Sequence, residues 1–239
     1  MDKNESNDRD NFARFDPPNS WIVEFWARVF KVLGMFSIMR LVLLLPLVRQ
    51  TYYFVETYVF LNSVASGLLL FISCLLIDRP VSFLAYVVFA YACLRIFEVV
   101  IYQMNVLLFD EYRAKKAAVE AGQDPAKAYA VRGYRRTVIL LLHNYFEIIC
   151  WFGIIYTFFY RSGDLSMGVG LPDPTFFSVF RDSLLLMFSF NADWQQPITD
   201  RGLLIFSLHA TVGVFMTILA FARFLALLPP PKTIDDFER

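Results

Sequence analysis

A cluster of polar side chains interrupts the apolar second half of the sequence. Residues 189–197 read SFNADWQQP, which combines a carboxylate, an indole and three side-chain amides just before a proline. Polar groups at membrane depth are costly and usually have a function. The stretch is therefore the first candidate for a functional site. Its chemistry is that of oxygen and amide groups, with Asp193 as its one acid.

Three further charged residues lie inside apolar runs. Arg95 and Glu98 are three positions apart, so they share a helix face, while Glu147 belongs to a later run. Counting 1.5 Å per helical residue places Arg95 and Glu147 at similar depths. Because membrane charges are rare without partners, we expect Arg95 to pair with Glu147 or Glu98. A voltage sensor would require Arg at every third position, and this run holds a single Arg.

The remaining reactive residue types favour structural roles. His209 stands alone, so a packing role is favoured over metal binding, and we expect no metal site. It could nevertheless support the 189–197 stretch from behind and make it sensitive to pH. The cysteines have no zinc-site spacing, and no nucleophile, phosphate-loop or dinucleotide motif is present. We therefore expect no enzyme, and no cofactor beyond a permeant cation or a lipid.

The composition indicates a polytopic membrane protein. Hydrophobic residues make up 57% of the 239 positions, and the mean hydropathy is +0.49. Several apolar runs are close to the length of about 20 residues that a helix needs to cross a bilayer core. The charges collect in segments between these runs, which gives no reason to expect nucleic acid as a partner. The polar start has no apolar core before a cleavage site, so it is not a signal peptide.

Four apolar runs are long enough to be transmembrane helices. They cover residues 54–77, 81–109, 138–160 and 202–228. The segment 110–136 between the second and third runs carries seven Lys or Arg residues. The positive-inside rule places it in the cytoplasm, and counting spans then places both termini there too.

The region before the first run is mixed in character. Aromatic residues alternate with Arg28 and Lys31, which is typical of an amphipathic helix lying in the membrane interface. A true span over 32–48 is the alternative, although Arg40 and Pro46 weigh against it. The predicted organisation is a tail (1–20), an interfacial helix (21–50), a transmembrane hairpin (51–109), a basic loop (110–137), a two-span module (138–228) and a tail (229–239).

The apolar run 176–190 is too short to cross a membrane comfortably. The polar loop follows it directly, and irregular backbone at membrane depth is tolerated only where protein buries it or water reaches it. The order of span, outer loop, short helix, polar loop and span therefore predicts a re-entrant pore helix between two full spans.

This arrangement resembles the two-helix pore module of the potassium channel superfamily, over residues 138–228. In that family the filter TVGYGD is followed by a proline, then by a glycine five residues later and a hinge glycine sixteen residues later. Pro197, Gly202 and Gly213 have this spacing. The run HNYFEIICWFGIIY also resembles the outer pore helix of small bacterial members. The resemblance implies a homotetramer in a bacterial inner membrane, with the last span lining a pore and Gly213 as its hinge.

The filter positions depart from the family pattern. Aligned on the proline, TVGYG falls on Ser189, Phe190, Asn191, Ala192 and Asp193. Both filter glycines are absent, although a ladder of inward carbonyls uses the positive φ that glycine allows. Potassium selectivity is therefore not expected.

Other groups could serve a cation at this loop. A tetramer would place four Asp193 carboxylates in a ring, which is a common basis of cation selectivity. Asn191 and Gln195 would add amide oxygens, and Trp194 would wedge the loop against the pore helix. The predicted function is a cation channel that is non-selective or favours sodium and calcium. The alternative is a non-conducting channel-like scaffold or effector that binds a protein partner through residues 110–136.

Overall fold

The computed structural model describes residues 20–39, 52–124, 134–168 and 173–227. Within these ranges the chain is mostly helical, and four helices are long and apolar enough to cross a membrane. The four apolar helices indicate an integral membrane protein, which confirms the predicted class. Most of the predicted tails lie outside the described residues, as do residues 40–48 of the alternative span, including Arg40 and Pro46.

The described part of the chain contains seven α-helices and two short strands. In chain order they are α1 (Trp21–Leu33), α2 (Tyr52–Leu75), α3 (Phe83–Met104), α4 (Asp110–Glu120), α5 (Tyr134–Arg161), β1 (Leu165–Met167), α6 (Phe176–Met187), β2 (Gln195–Pro197) and α7 (Asp200–Leu227). A 3₁₀ turn, Gly34–Phe36, follows α1, and a π-helical turn, Asn105–Phe109, joins α3 to α4.

Helix α5 is the centre of the fold. It packs against α2, α3, α6 and α7. In its most apolar stretch 61% of the residues are buried, against 28–33% in the other three long helices. Trp151, Phe152 and Tyr156 are completely buried there. The other three long helices pack around the middle of α5 and leave their own outer faces for lipid.

The second long helix continues past its predicted end. The sequence predicts a span to 109 and then a basic loop over 110–137 whose helix-forming start suggests a broken helical hairpin. The helix extends through the π-helical turn to Glu120. The reason is composition, because residues 110–120 are mostly strong helix formers despite their charge. Asn105 supports the turn by donating hydrogen bonds to the carbonyls of Phe30 and Ile101.

Helix α1 is shorter than the predicted interfacial helix and packs on this extension. Phe30 stacks on Phe109 with ring centroids 5.5 Å apart, and Lys116 Nζ lies 3.0 Å from a carboxylate oxygen of Glu24. The opposite face exposes Trp21 and Phe25. The helix is therefore amphipathic, with one face against the protein and an aromatic face left open.

The mostly helical structure is compatible with the expected all-α class, and a short β-ribbon accompanies the helices. Strands β1 and β2 form an antiparallel ribbon in which Met167 pairs with Gln195 and Leu165 pairs with Pro197. Extended backbone is natural at the end of β2, because the residue before a proline avoids the helical region. The ribbon joins the turn after α5 to the segment before α7.

Candidate functional site at the polar loop

The short helix α6 cannot cross a bilayer. Its 12 residues span about 18 Å, well under the ~30 Å of a hydrocarbon core. Reciprocal hydrogen bonds between Thr175 and Ser178 cap its start. Ser189 has a φ of 62° just beyond its end, and the Phe190 N–H closes the last turn on the Leu185 carbonyl. The helix therefore ends three residues before the predicted boundary at 190.

A buried carboxylate on α6 holds the polar loop. Asp182 is completely buried, and one of its oxygens accepts the backbone N–H groups of Trp194 at 3.0 Å and Gln195 at 2.9 Å. The sequence shows Asp182 as a charge in a short apolar run, but it does not indicate this role. The contact fixes the end of the loop against the middle of the helix.

The predicted filter residues fall into two groups. Phe190, Asn191 and Asp193 are exposed, and Ala192 packs partly against the core. By contrast, Gln195 is only 1% exposed, and its side-chain amide has no hydrogen-bond partner among the described residues. The prediction that Gln195 joins Asn191 and Asp193 in offering oxygens to an ion is therefore wrong for this conformation of the chain, because the ribbon draws Gln195 inward.

The loop acid has a partner in its own chain. A guanidinium nitrogen of Arg181 lies 2.6 Å from a carboxylate oxygen of Asp193, and both side chains are well exposed. The cation-channel prediction treats Asp193 as an unpaired carboxylate, whereas the non-conducting alternative treats it as a helix cap or a salt-bridge partner at the mouth. Each chain presents a neighbouring positive and negative group at this surface. Any ring of Asp193 carboxylates would therefore be accompanied by an equal ring of guanidinium groups.

A second carboxylate ties the two long helices together beside the ribbon. Asp164, just after α5, accepts hydrogen bonds from Ser162 Oγ at 2.9 Å and Thr199 Oγ1 at 2.7 Å. Thr199 in turn accepts the N–H of Gly202 in the first turn of α7. The hydrogen bonds from Thr199 and Ser162 hold the pKa of the Asp164 carboxyl below its usual range.

Gly202 and Gly213, whose distances from Pro197 match the channel family, lie where the backbone of α7 comes very close to other backbone atoms. A Cβ at Gly202 would lie 2.5 Å from the Asp164 carbonyl oxygen. At Gly213 it would lie 2.1 Å from the carbonyl oxygen of Met187, at the end of α6. Close packing of α7 therefore requires glycine at both positions. A hinge at Gly213 stays a prediction.

His209 does not support the loop in the predicted way. Its ring stacks on Phe152 with centroids 3.7 Å apart, and Nδ1 shares a hydrogen bond with the Tyr156 hydroxyl. Both partners belong to α5. No hydrogen bond joins His209 to residues 189–197 in the described chain, and its Nε2 has no partner there. The prediction missed this because a phenylalanine ring gives no polar signal in the sequence.

The buried charges form one network that joins three helices. Arg95 Nε and Nη2 each donate to Glu147 at 2.8 Å, and Nη1 pairs with Glu98. Trp151 Nε1 adds a bond to Glu147 at 2.9 Å, and the Tyr58 hydroxyl donates to Glu98 at 3.2 Å. The structure thus brings together the three residues that the sequence predicts to pair.

The N-terminal segment is attached to the same network. The backbone N–H of Met39 donates to Glu98 at 2.8 Å, and the Ser37 hydroxyl also donates to it. One carboxylate therefore links the segment after α1 to the buried arginine.

The fold and site together define a polytopic membrane protein whose last two long helices flank a short helix and an anchored polar loop. No group of His, Cys, Asp and Glu residues in the described ranges could hold a metal ion. Comparison of the chain with protein-family models, curated proteins and solved structures finds no match.

Proposed function

We propose that the chain is the subunit of a homotetrameric cation channel of potassium-channel-like architecture whose filter is not selective for potassium. The observation that carries this proposal is that the buried Asp182 carboxylate accepts backbone N–H groups of the loop. A polar loop held in this way at the end of a non-crossing helix supports the proposal of a re-entrant pore loop. A single two-span module cannot enclose a pathway, so symmetry around α7 is needed.

The backbone of the loop supports the lack of potassium selectivity. Ser189 has a positive φ, but no other non-glycine residue in the described ranges does. A carbonyl ladder that replaces the hydration shell of potassium uses the positive φ values that glycine allows, and residues 190–197 have neither a glycine nor a positive φ. The exposed Asn191 and Asp193 side chains suit a wider pathway in which the ion keeps part of its water.

The proposed location is a bacterial inner membrane, with the basic segment and both termini in the cytoplasm. The membrane is the one that the family resemblance implies, and the orientation follows from the Lys and Arg residues of 110–136. The amphipathic α1 would then lie at the inner interface, where its exposed Trp21 and Phe25 meet lipid.

A non-conducting channel-like protein is the second candidate, and one observation favours it. The Arg181–Asp193 pair and the β-ribbon give the loop partners within its own chain, so it needs no ion to satisfy its charge. Such a protein would act by binding a partner through the basic segment 110–136.

Current recording of the purified protein in planar bilayers under bi-ionic conditions tests the proposal. We expect cation currents with little preference for potassium, and Asp193→Asn should change their size and cation preference. Asp78→Asn is the matched control, because Asp78 is an exposed acid in the turn joined to the end of α5. Silent bilayers, together with a stable co-purified partner, would establish the second candidate instead. Strong potassium or anion selectivity would contradict the first.

A further inference from the structure

A continuous groove runs along the outer side of the contact between α2 and α5. It consists of two cavities of about 430 and 480 Å³ that share Phe60 and His143. One cavity ends at Glu56 and Arg136, and the other extends to Gly67. The two volumes therefore form one elongated depression with a charged end and an apolar end.

The groove has the dimensions and surface of an acyl-chain site. From Glu56 to Leu68 the α2 backbone rises about 18 Å, close to the ~15 Å of one leaflet of the hydrocarbon core. Its floor holds Ser63 and Gly67, the small residues that admit α5 closely. Apart from His143, the walls between Ser63 and Phe146 are apolar, and Leu142 at the rim is 60% exposed.

The cationic end is suited to a phosphate. Arg136 is paired with Glu56 at 2.5 Å, yet a third of its side chain remains exposed. Arg136 lies in the first turn of α5, where the helix dipole also favours a negative group. No charged residue lines the apolar part of the groove, from Ser63 to Phe146.

We propose that this groove binds one phospholipid of the leaflet next to the basic segment. Its acyl chain lies along Ser63 and Gly67, and its phosphate lies at Arg136. The charge at a single end and the match to one leaflet favour a phospholipid over a second copy of the chain, which would bring side chains of its own to both ends. The site is separate from the polar loop and does not depend on ion conduction.

Native mass spectrometry of the detergent-purified protein tests the site, with phosphatidylglycerol and phosphatidylcholine as probes. We expect the unmodified chain to retain one phospholipid per chain. Gly67→Leu should fill the groove and lower this retention several-fold, with Ala90→Leu on an exposed face of α3 as the matched control. Arg136→Gln should also lower it, whereas Arg161→Gln at the opposite end of α5 should not.

A second groove variant protects the test from a folding defect. A Cβ at Gly67 would lie 3.5 Å from Phe146, so a leucine there could disturb the contact of α2 with α5. Leu142→Trp changes an exposed rim position and should lower retention without altering thermal stability. Equal retention by both groove variants and the unmodified chain would overturn the proposal. An equal loss of lipid in Ala90→Leu would also overturn it. So would a groove variant that changes the mass of the assembly but not its lipid retention, because a second copy of the chain would then be the occupant of the groove.

Discussion

Replacing Arg95 by leucine should strongly destabilise the protein. The substitution removes both hydrogen bonds to Glu147 and the ion pair with Glu98, and it leaves two carboxylates buried without their cation. Removing one partner of a buried pair costs about 3–5 kcal/mol. For a chain of this size that corresponds to a fall in Tm of roughly 6–20 °C.

The assay is thermal unfolding of the detergent-purified protein, with size-exclusion chromatography to follow assembly. Arg28→Leu is the matched control, because Arg28 pairs with Glu24 on the surface with 76% of its side chain exposed. An exposed pair is worth roughly 0–1 kcal/mol, so this variant should unfold close to the unmodified protein.

A compensated variant separates lost charge balance from lost packing. Combining Arg95→Leu with Glu98→Gln and Glu147→Gln removes the uncompensated carboxylates, and the amides can still accept hydrogen bonds from Trp151 and Tyr58. We expect much of the lost stability to return, since exchanging a whole buried ion network for neutral groups is often nearly neutral. An Arg95→Leu protein that assembles normally and unfolds within about 2 °C of the original would refute the reasoning.

Three further predictions concern the loop and its supports. Gly213→Ala places a Cβ against a backbone carbonyl of α6 and should lower the free energy of unfolding by about 1–3 kcal/mol. Gly34→Ala is the control, because a Cβ there lies at an ordinary contact distance, so the loss should be smaller. Denaturant unfolding measures both variants. The lowered pKa of Asp164 means that its contribution to stability is present above about pH 4 and is lost as the pH falls through the folded-state pKa. Asp164→Asn should therefore reduce the loss of Tm on acidification, and an unchanged pH profile would count against the assignment. Arg181→Gln leaves the Asp193 carboxylates unbalanced and should increase the preference for divalent over monovalent cations in bilayer recordings, an effect that added Asp193→Asn should abolish.

The long spans were predictable because each is a nearly unbroken apolar run with charged segments at its ends. The boundary after the second span was predictable only in part. Residues 110–120 have a helix-forming composition, but their charge assigned them to a separate basic loop, whereas they continue the helix to Glu120. Hydropathy reports contact with water, whereas helix continuation depends on backbone propensity. The two signals diverge wherever a helix leaves the membrane.

The candidate site was predictable in its position but not in its contacts. Spacing indicated Pro197, Gly202 and Gly213, and depth along the helices indicated the partners of Arg95. Neither signal reveals that a buried Asp182 holds the loop or that Arg181 pairs with Asp193. Those contacts join residues of a helix to an irregular loop, where no periodicity relates sequence distance to distance in space.

The buried charge network also has a consequence for the insertion of the helices into the membrane during synthesis. Arg95 enters the membrane with α3, before the chain that carries Glu147, 52 positions later, has been made. A lone arginine at the centre of a helix opposes insertion by about 2.5–3.5 kcal/mol. Glu98, one turn further along the same helix, is available at once and can offset part of this cost. The nascent α3 is thus expected to stay near the insertion machinery until α5 arrives and completes the charge network.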